Sequence, residues 1–217
     1  MPTKVFLLTS TPQQRNVTSE FRQSRSRSRS LSMVSLAALW LPIVLSAVIV
    51  FVASSIMHVL LKYHQSDCRQ IPDEDKFLAL LRPANLKRGF YFFPYTLPKD
   101  MKSPAAIEKY KQGPVGFMTI MPSGPPAMPK FLFQWFVYCL LIGFFVAYLA
   151  AHTIPAGANY LAVFRVVGTA AFLAYGLGQV SNGIWKGQPW SMTTKEVVDG
   201  LVYGLLTAGT FGWLWPR

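Results

Sequence analysis

Few ionisable residues lie within the long apolar stretches of this chain, so each one is a candidate for chemistry. His58 and Asp199 are the pair whose side chains could donate and accept a proton, or bind a polar headgroup. Ser54 lies one helical turn before His58 and would share its face. The chain has no Walker loop, H-E-x-x-H, G-x-S-x-G or C-x-x-C sequence. These residues therefore indicate a polar site without naming a reaction.

Other polar residues are expected at the same depth in the bilayer as His58 and Asp199, and they enlarge this candidate pocket. Successive membrane spans run in opposite directions, so the end of one span lies level with the start of the next. By this argument six polar residues lie on the side of the long loop: Ser54, His58, Gln134, Gln179, Asn182 and Asp199. The alternative is an ordinary interface, in which polar residues near span ends hydrogen-bond only to lipid or backbone.

A second polar group, His152, Asn159 and Arg165, lies on the opposite side. Arg165 is the costly member, because helical rise places it roughly 6 to 9 Å inside the third span. Its guanidinium either snorkels to the surface or holds a lipid phosphate or another anionic ligand. We therefore treat these three residues as a candidate anion or lipid contact.

Four apolar stretches position these side chains: residues 40–61, 131–151, 161–180 and 197–215. Each has about the roughly 20 residues that a helix needs to cross a bilayer. The sequence predicts an all-α membrane protein with four transmembrane helices and a small structured loop, residues 62–130, between helices 1 and 2. Residues 33–217 would form one membrane domain.

The long loop has its own structural signals. Pro72 followed by three acidic residues predicts a helix reaching Arg82, and a second helix is predicted from Ser103 to Gly113. The aromatic or β-branched runs 90–95 and 115–121 predict a small hairpin. The proline-rich stretch 121–129 is expected to be extended.

Small residues recur at four-residue steps in the last two spans. Gly200, Gly204, Ala208 and Gly212 follow one face of the fourth span, and Ala170, Ala174 and Gly178 repeat the spacing in the third. Such stripes let helix backbones approach closely. We expect the two stripes to meet within the chain; the alternative is a homodimer through Gly200 and Gly204.

The excess of positive charge indicates contact with lipid headgroups rather than with nucleic acid. The chain has a net charge of +12, but its positive residues lie in the tail and in loops beside apolar spans. Anionic lipid headgroups are the expected counter-charge, and no nucleic-acid partner is expected. The polar composition of residues 1–32, which include a serine-arginine run, predicts a disordered basic tail. Alternatively, translation begins at Met33 and this tail is not made.

The sequence predicts no cofactor and no metal ion. Cys68 lies in the loop and Cys139 two turns into the second span, and neither has a ligand neighbour at the spacing of a zinc site. His58 and His152 lie most of a bilayer apart, which argues against a haem held by both.

Residues 39–46 (LWLPIVLS) and 199–215 (DGLVYGLLTAGTFGWLW) resemble the ends of a family of bacterial multi-pass inner-membrane proteins with no assigned activity. The resemblance covers residues 33–216 and implies a bacterial inner (plasma) membrane location. Orientation has two answers under the positive-inside rule. The arginines of the tail favour a cytoplasmic amino terminus, whereas Lys62, Arg69, Lys130, Lys186 and Lys195 favour a cytoplasmic long loop, which is our expectation.

Two classes of function follow. The first is a non-catalytic accessory or scaffold protein that uses the stripes and the loop to bind a protein partner or a second copy. The alternative is a small transporter or membrane enzyme that uses the pocket near His58 and Asp199. Internal repeats and helices broken at the midplane, which are typical of transporters, are not evident in the sequence. The accessory role is therefore the expectation.

Overall fold

The computed structural model describes residues 33–217, and this part of the chain is mostly helical. The predicted tail, residues 1–32, lies outside it. The elements in chain order are α1 (Trp40–Ser55), α2 (Glu74–Leu81), β1 (Gly89–Phe93), α3 (Pro104–Gln112), β2 (Gly116–Ile120), α4 (Met128–Thr153), α5 (Tyr160–Tyr175), α6 (Val180–Trp185) and α7 (Trp190–Trp213).

Three helical segments among residues 33–217 are long and apolar enough to cross a membrane: Leu36–Leu60, Met128–Thr153 and Tyr160–Trp185. They correspond to the first three predicted spans, so the prediction of a membrane protein is confirmed. The fourth predicted span, residues 197–215, overlaps α7 up to Trp213, and α7 is not apolar enough to meet the same criterion. Lys195, Glu196 and Asp199 fall in its first half, and glycines and threonines lower the hydropathy of the rest.

The long helices form a closed bundle in which each helix has two neighbours. α1 packs against α4 and α7, and α5 packs against the same two helices, most extensively against α7. The core between them is built from side chains such as Val50, Cys139, Ala147, Val167 and Phe211, all at or near full burial. Many apolar residues on the outward faces are exposed, as on Phe145 and Leu173.

At the end remote from the long loop, three parts of the chain are bonded together. Met33 forms an isolated bridge with Pro155 in the α4–α5 turn. The Trp215 indole donates to the carbonyl of Pro155 at 3.0 Å, and the Gly157 amide donates to the carbonyl of Pro216 at 2.8 Å. The start of α1, the α4–α5 turn and the end of α7 therefore lie at one end of the bundle.

The glycine stripe of α7 lies against α5. Gly200 faces Gly176, Gly204 faces Phe172, and Ala208 faces Gly168. The ring of Tyr160 packs against Gly212. The two helices therefore approach closely, but not through the second stripe: Ala174 and Gly178 are exposed, and Ala170 is only half-buried. The face of α5 that meets the stripe instead contains Gly168 and Phe172, with Gly176 just after the helix; each lies two positions before a residue of the second stripe.

The long loop has the predicted elements. α2 and α3 lie where helices were expected, and the Ser103 hydroxyl caps α3 by accepting a hydrogen bond from the Ala106 amide at 3.2 Å. β1 and β2 pair antiparallel, with Phe92 opposite Phe117. One prediction was wrong at the end of the loop. The proline-rich stretch is not extended up to residue 129, because α4 begins at Met128 and accepts Pro129 in its first turn, where a helix needs no backbone donor.

Candidate functional site

After α1 the chain turns back across the end of the bundle and brings several polar side chains together. After α1 the chain makes a π-helical turn, Ile56–Leu60, which contains His58. Lys62 then adopts a positive φ of 50° and reverses the chain into a 3-10 turn, Tyr63–Ser66. Single π turns often occur where a helix positions a functional side chain. This path brings residues 63–67 against the first turns of α7.

Asp199 of α7 is the centre of the site and is only 3% exposed. The Tyr63 hydroxyl donates a hydrogen bond to its Oδ1 atom. Its Oδ2 atom lies 2.8 Å from Nε2 of His64 and 3.8 Å from Nε2 of His58. A buried carboxylate is costly unless it is paired and hydrogen-bonded, and here both of its oxygens have partners.

A second charged pair connects the loop to α7. Lys195 donates to Asp67 Oδ1 at 2.6 Å, to the carbonyl of Tyr63 at 2.6 Å and to the Ser66 hydroxyl at 2.8 Å. Asp67 Oδ2 lies 2.6 Å from Nδ1 of His64. We call Tyr63, His64, Asp67, Lys195 and Asp199 the loop clasp, because they join residues 63–67 to α7.

Within the loop clasp, hydrogen bonds and neighbouring charges shift the pKa of several members. The pKa of His64 is raised: burial, the largest effect, lowers it, but hydrogen bonds to Asp67 and Asp199 together outweigh burial. Carboxylate oxygens face both of its ring nitrogens, so the geometry favours a ring that carries a proton on each nitrogen. The Lys195 ammonium holds the pKa of Asp67 below its usual range, against the effect of burial. Burial and then the hydrogen bond to Asp199 raise the pKa of Tyr63, which stays a neutral donor.

Ser54 links this site to an aromatic cluster inside the bundle. The Trp135 indole of α4 donates to the Ser54 hydroxyl at 2.8 Å, and that hydroxyl donates to the Phe51 carbonyl at 2.9 Å. Trp135 lies 6.1 Å from the Tyr203 ring and 6.3 Å from the Tyr175 ring, measured between centroids. The interior below Asp199 is therefore aromatic and partly polar.

The structure brings together only part of the predicted pocket. His58 lies beside both Ser54 and Asp199: its Nδ1 atom lies 3.0 Å from the Ser54 carbonyl and its Nε2 atom 3.8 Å from Asp199 Oδ2. Gln179 and Asn182 instead hydrogen-bond to each other at 2.9 Å. Gln134 is exposed and lines a cavity against the loop. Equal depth placed these residues at one end of the bundle, but depth alone does not determine which face of a helix a residue occupies.

The second polar group does not form a cluster with shared hydrogen bonds. His152 is exposed and bonds through Nδ1 to the Tyr148 carbonyl of its own helix at 2.7 Å. Asn159 caps α5 by accepting from the Ala162 amide at 2.9 Å. Arg165 is exposed on the outward face of α5.

Sequence reasoning missed four members of the loop clasp: Tyr63, His64, Asp67 and Lys195. From the first span, only residues within the apolar stretch were predicted for the pocket, whereas Tyr63, His64 and Asp67 come shortly after its end. The available signal was the spacing of His64 and Asp67, since residues three apart on a helical turn face the same side. Local spacing also gives no sign of the His64–Asp199 pair, because the two residues lie 135 positions apart in the sequence.

A cavity of about 650 Å³ lies between the two strands, the proline-rich segment and the start of α4. Arg88 and Lys130 are its cationic lining residues, and Phe131 contributes an apolar wall. It is separate from the residues of the loop clasp.

His58, His64 and Asp199 could exchange protons, or could bind a cation through lone pairs on the two imidazoles and the carboxylate. No protein-family model, curated protein or solved structure matches the chain. The side-chain arrangement is therefore the basis for any functional conclusion.

Proposed function

We propose that the chain is a four-span membrane protein with an accessory, non-catalytic role: it holds a small loop unit at the membrane surface and presents it to a partner protein. The fourth span is α7. Lys195 and Asp199, near the start of α7, lie at the end of the bundle that bears the loop. Trp215, just after α7, hydrogen-bonds to Pro155 at the opposite end of the bundle. A helix with these contacts runs the length of its three apolar neighbours.

The proposed location is a bacterial inner membrane with the long loop in the cytoplasm. The three apolar helices support a membrane location, and the cationic residues beside the loop support the side. Trp40, Trp185, Trp190 and Trp213 are exposed near helix ends, as suits an interfacial aromatic belt. Arg165, exposed on α5, would contact a lipid phosphate of this bilayer.

One observation carries the accessory role: the loop is fixed to the bundle while its hairpin leaves aromatic surface exposed. Phe90 and Phe117 stack with centroids 5.0 Å apart and are 56% and 38% exposed. Phe92 packs beside them on the same face. The loop clasp fixes the beginning of the loop, and α4 begins where the loop ends. Exposed aromatic patches of this kind are typical of protein interaction sites.

A photocrosslinking experiment in native membranes tests this role. Benzoylphenylalanine replaces Phe117, and a matched control replaces Met118, the next residue on β2, which faces the other side of the strand. A protein adduct at 117 that is weak or missing at 118 supports the proposal. Equal adducts at both positions, or adducts with lipid alone at 117, would overturn it.

The second candidate, a transporter or membrane enzyme, is favoured by His58. Its side chain is 52% exposed while its Nε2 atom lies 3.8 Å from a buried carboxylate oxygen, so a solute could reach both groups. In this case His58→Ala and Asp199→Asn would abolish transport or turnover and leave membrane assembly intact. Unchanged activity in His58→Ala would exclude this candidate.

A further inference from the structure

We propose that His58, His64 and Asp199 form a binding site for a divalent transition-metal ion, with zinc as the best match. Their ligand atoms all lie within 4.8 Å of one another. Two imidazoles and one carboxylate are a common ligand set for zinc, which binds nitrogen and oxygen at about 2.0 to 2.2 Å. This site goes beyond the partner-binding role proposed for the loop, although His64 and Asp199 also belong to the loop clasp.

The two histidines converge on one oxygen atom. Nε2 of His64 lies 2.8 Å from Asp199 Oδ2, and Nε2 of His58 lies 3.8 Å from the same atom. Ligands about 2.1 Å from a tetrahedral ion are about 3.4 Å apart, between these two distances. The Tyr63 hydroxyl binds Oδ1, so Asp199 offers a single oxygen to the site.

The opposite nitrogen of each histidine hydrogen-bonds to an acceptor. His58 donates from Nδ1 to the Ser54 carbonyl at 3.0 Å, and His64 donates from Nδ1 to Asp67 at 2.6 Å. A backbone carbonyl and a carboxylate are the usual outer partners of metal-binding histidines, because they place the lone pair on Nε2. Lys195 holds Asp67 in turn.

A metal ion could take the place of protons at this site. In the tautomer that donates from Nδ1 to the Ser54 carbonyl, Nε2 of His58 has a lone pair facing the Asp199 carboxylate. A cation between these two groups would be bound by both. A divalent ion would supply that cation and would replace the proton that His64 Nε2 shares with Asp199.

Coordination by both rings requires a small rearrangement. The imidazoles of His58 and His64 stack, with centroids 4.3 Å apart and planes 9° apart, whereas a metal ion lies near the plane of each ring that binds it. His58 is the ring that would turn, because its side chain is 52% exposed while that of His64 is 14% exposed. Three protein ligands leave at least one position for water or another small molecule.

The chain provides its own control, because it has three histidines and the third, His152, is exposed and bonded to the carbonyl of Tyr148 in α4. The full chain, purified in detergent on a histidine-free tag, is titrated with Zn²⁺ against a fluorescent competitor. Co²⁺ replaces Zn²⁺ for visible spectroscopy. We expect one Zn²⁺ per chain, and a Co²⁺ spectrum of a four- or five-coordinate site.

His58→Ala should weaken Zn²⁺ binding at least about 100-fold, the upper end of what losing an outer partner costs. Asp67→Asn should weaken it about 10- to 100-fold for that same reason, whereas His152→Ala should leave it unchanged. His58 is exposed, so its variant is expected to fold. The proposal is overturned if the wild-type chain binds no Zn²⁺ at tens of micromolar, or if His152→Ala weakens binding as much as His58→Ala.

Discussion

The packing of α7 against α5 leads to a sharp prediction for Gly200→Ala. A Cβ atom at this position would lie 2.7 Å from the carbonyl carbon of Tyr175 and closer still to the Cα and nitrogen atoms of Gly176. All three are backbone atoms, so no side-chain rotation relieves the overlap. Ordinary carbon contacts are about 3.5 to 4.0 Å, so the two helices would have to separate by roughly 1 Å.

The expected cost follows from two opposing effects. Overpacking of this kind costs about 1 to 3 kcal/mol or more, and a backbone-to-backbone overlap belongs at the upper end. Replacing glycine by alanine inside a helix returns up to about 1 kcal/mol. Gly200→Ala should therefore lower the free energy of unfolding by about 2 kcal/mol.

Gly209→Ala on the same helix is the matched control. Its Cβ would meet only the Tyr160 hydroxyl, at 3.6 Å, which is an ordinary contact. It should be neutral or stabilising by up to about 1 kcal/mol. Both variants are unfolded in detergent micelles with increasing dodecyl sulfate, followed by circular dichroism. Equal stability of Gly200→Ala and Gly209→Ala would refute the close approach of α5 and α7.

Three further predictions concern the loop and the interior. Lys195→Ala removes the ammonium group that holds Asp67, so limited proteolysis of residues 62–73 should accelerate; Lys76→Ala, which breaks only an exposed pair, should have no effect. Trp135→Phe should cost about 0.5 to 1.5 kcal/mol by removing its bond to Ser54, and Ser54→Ala in that background should add little in a double-mutant cycle. Ser103→Ala should destabilise α3 by about 1 kcal/mol, seen as faster amide exchange in its first turn.

The parts of the fold set by local pattern could be predicted from the sequence. Apolar length identified the three helices that can cross a membrane, and proline, serine and acidic residues marked α2 and α3. The glycine steps of α7 were recognisable because small residues four apart lie on one face. The face of α5 that they meet was not, since it includes the large ring of Phe172 and therefore does not show a pattern of small residues.

The site was predictable only in part, for a physical reason. His58 and Asp199 are costly inside apolar stretches and therefore stood out in the sequence. His64, Asp67 and Lys195 lie in polar surroundings, where ionisable residues carry no such signal. Their role depends on the reversal at Lys62, whose left-handed backbone conformation the sequence does not indicate. Sequence separations of 128 to 136 residues also hide the contacts from any motif.

The most direct test of the four-span account compares the side of the membrane reached by the long loop with that reached by the carboxyl terminus. Topology reporters are inserted at Gly124, where the backbone is open, and fused after Arg217. If α7 crosses the bilayer, the two reporters lie on opposite sides. Reporters on the same side would mean that α7 does not cross, and the account would be contradicted.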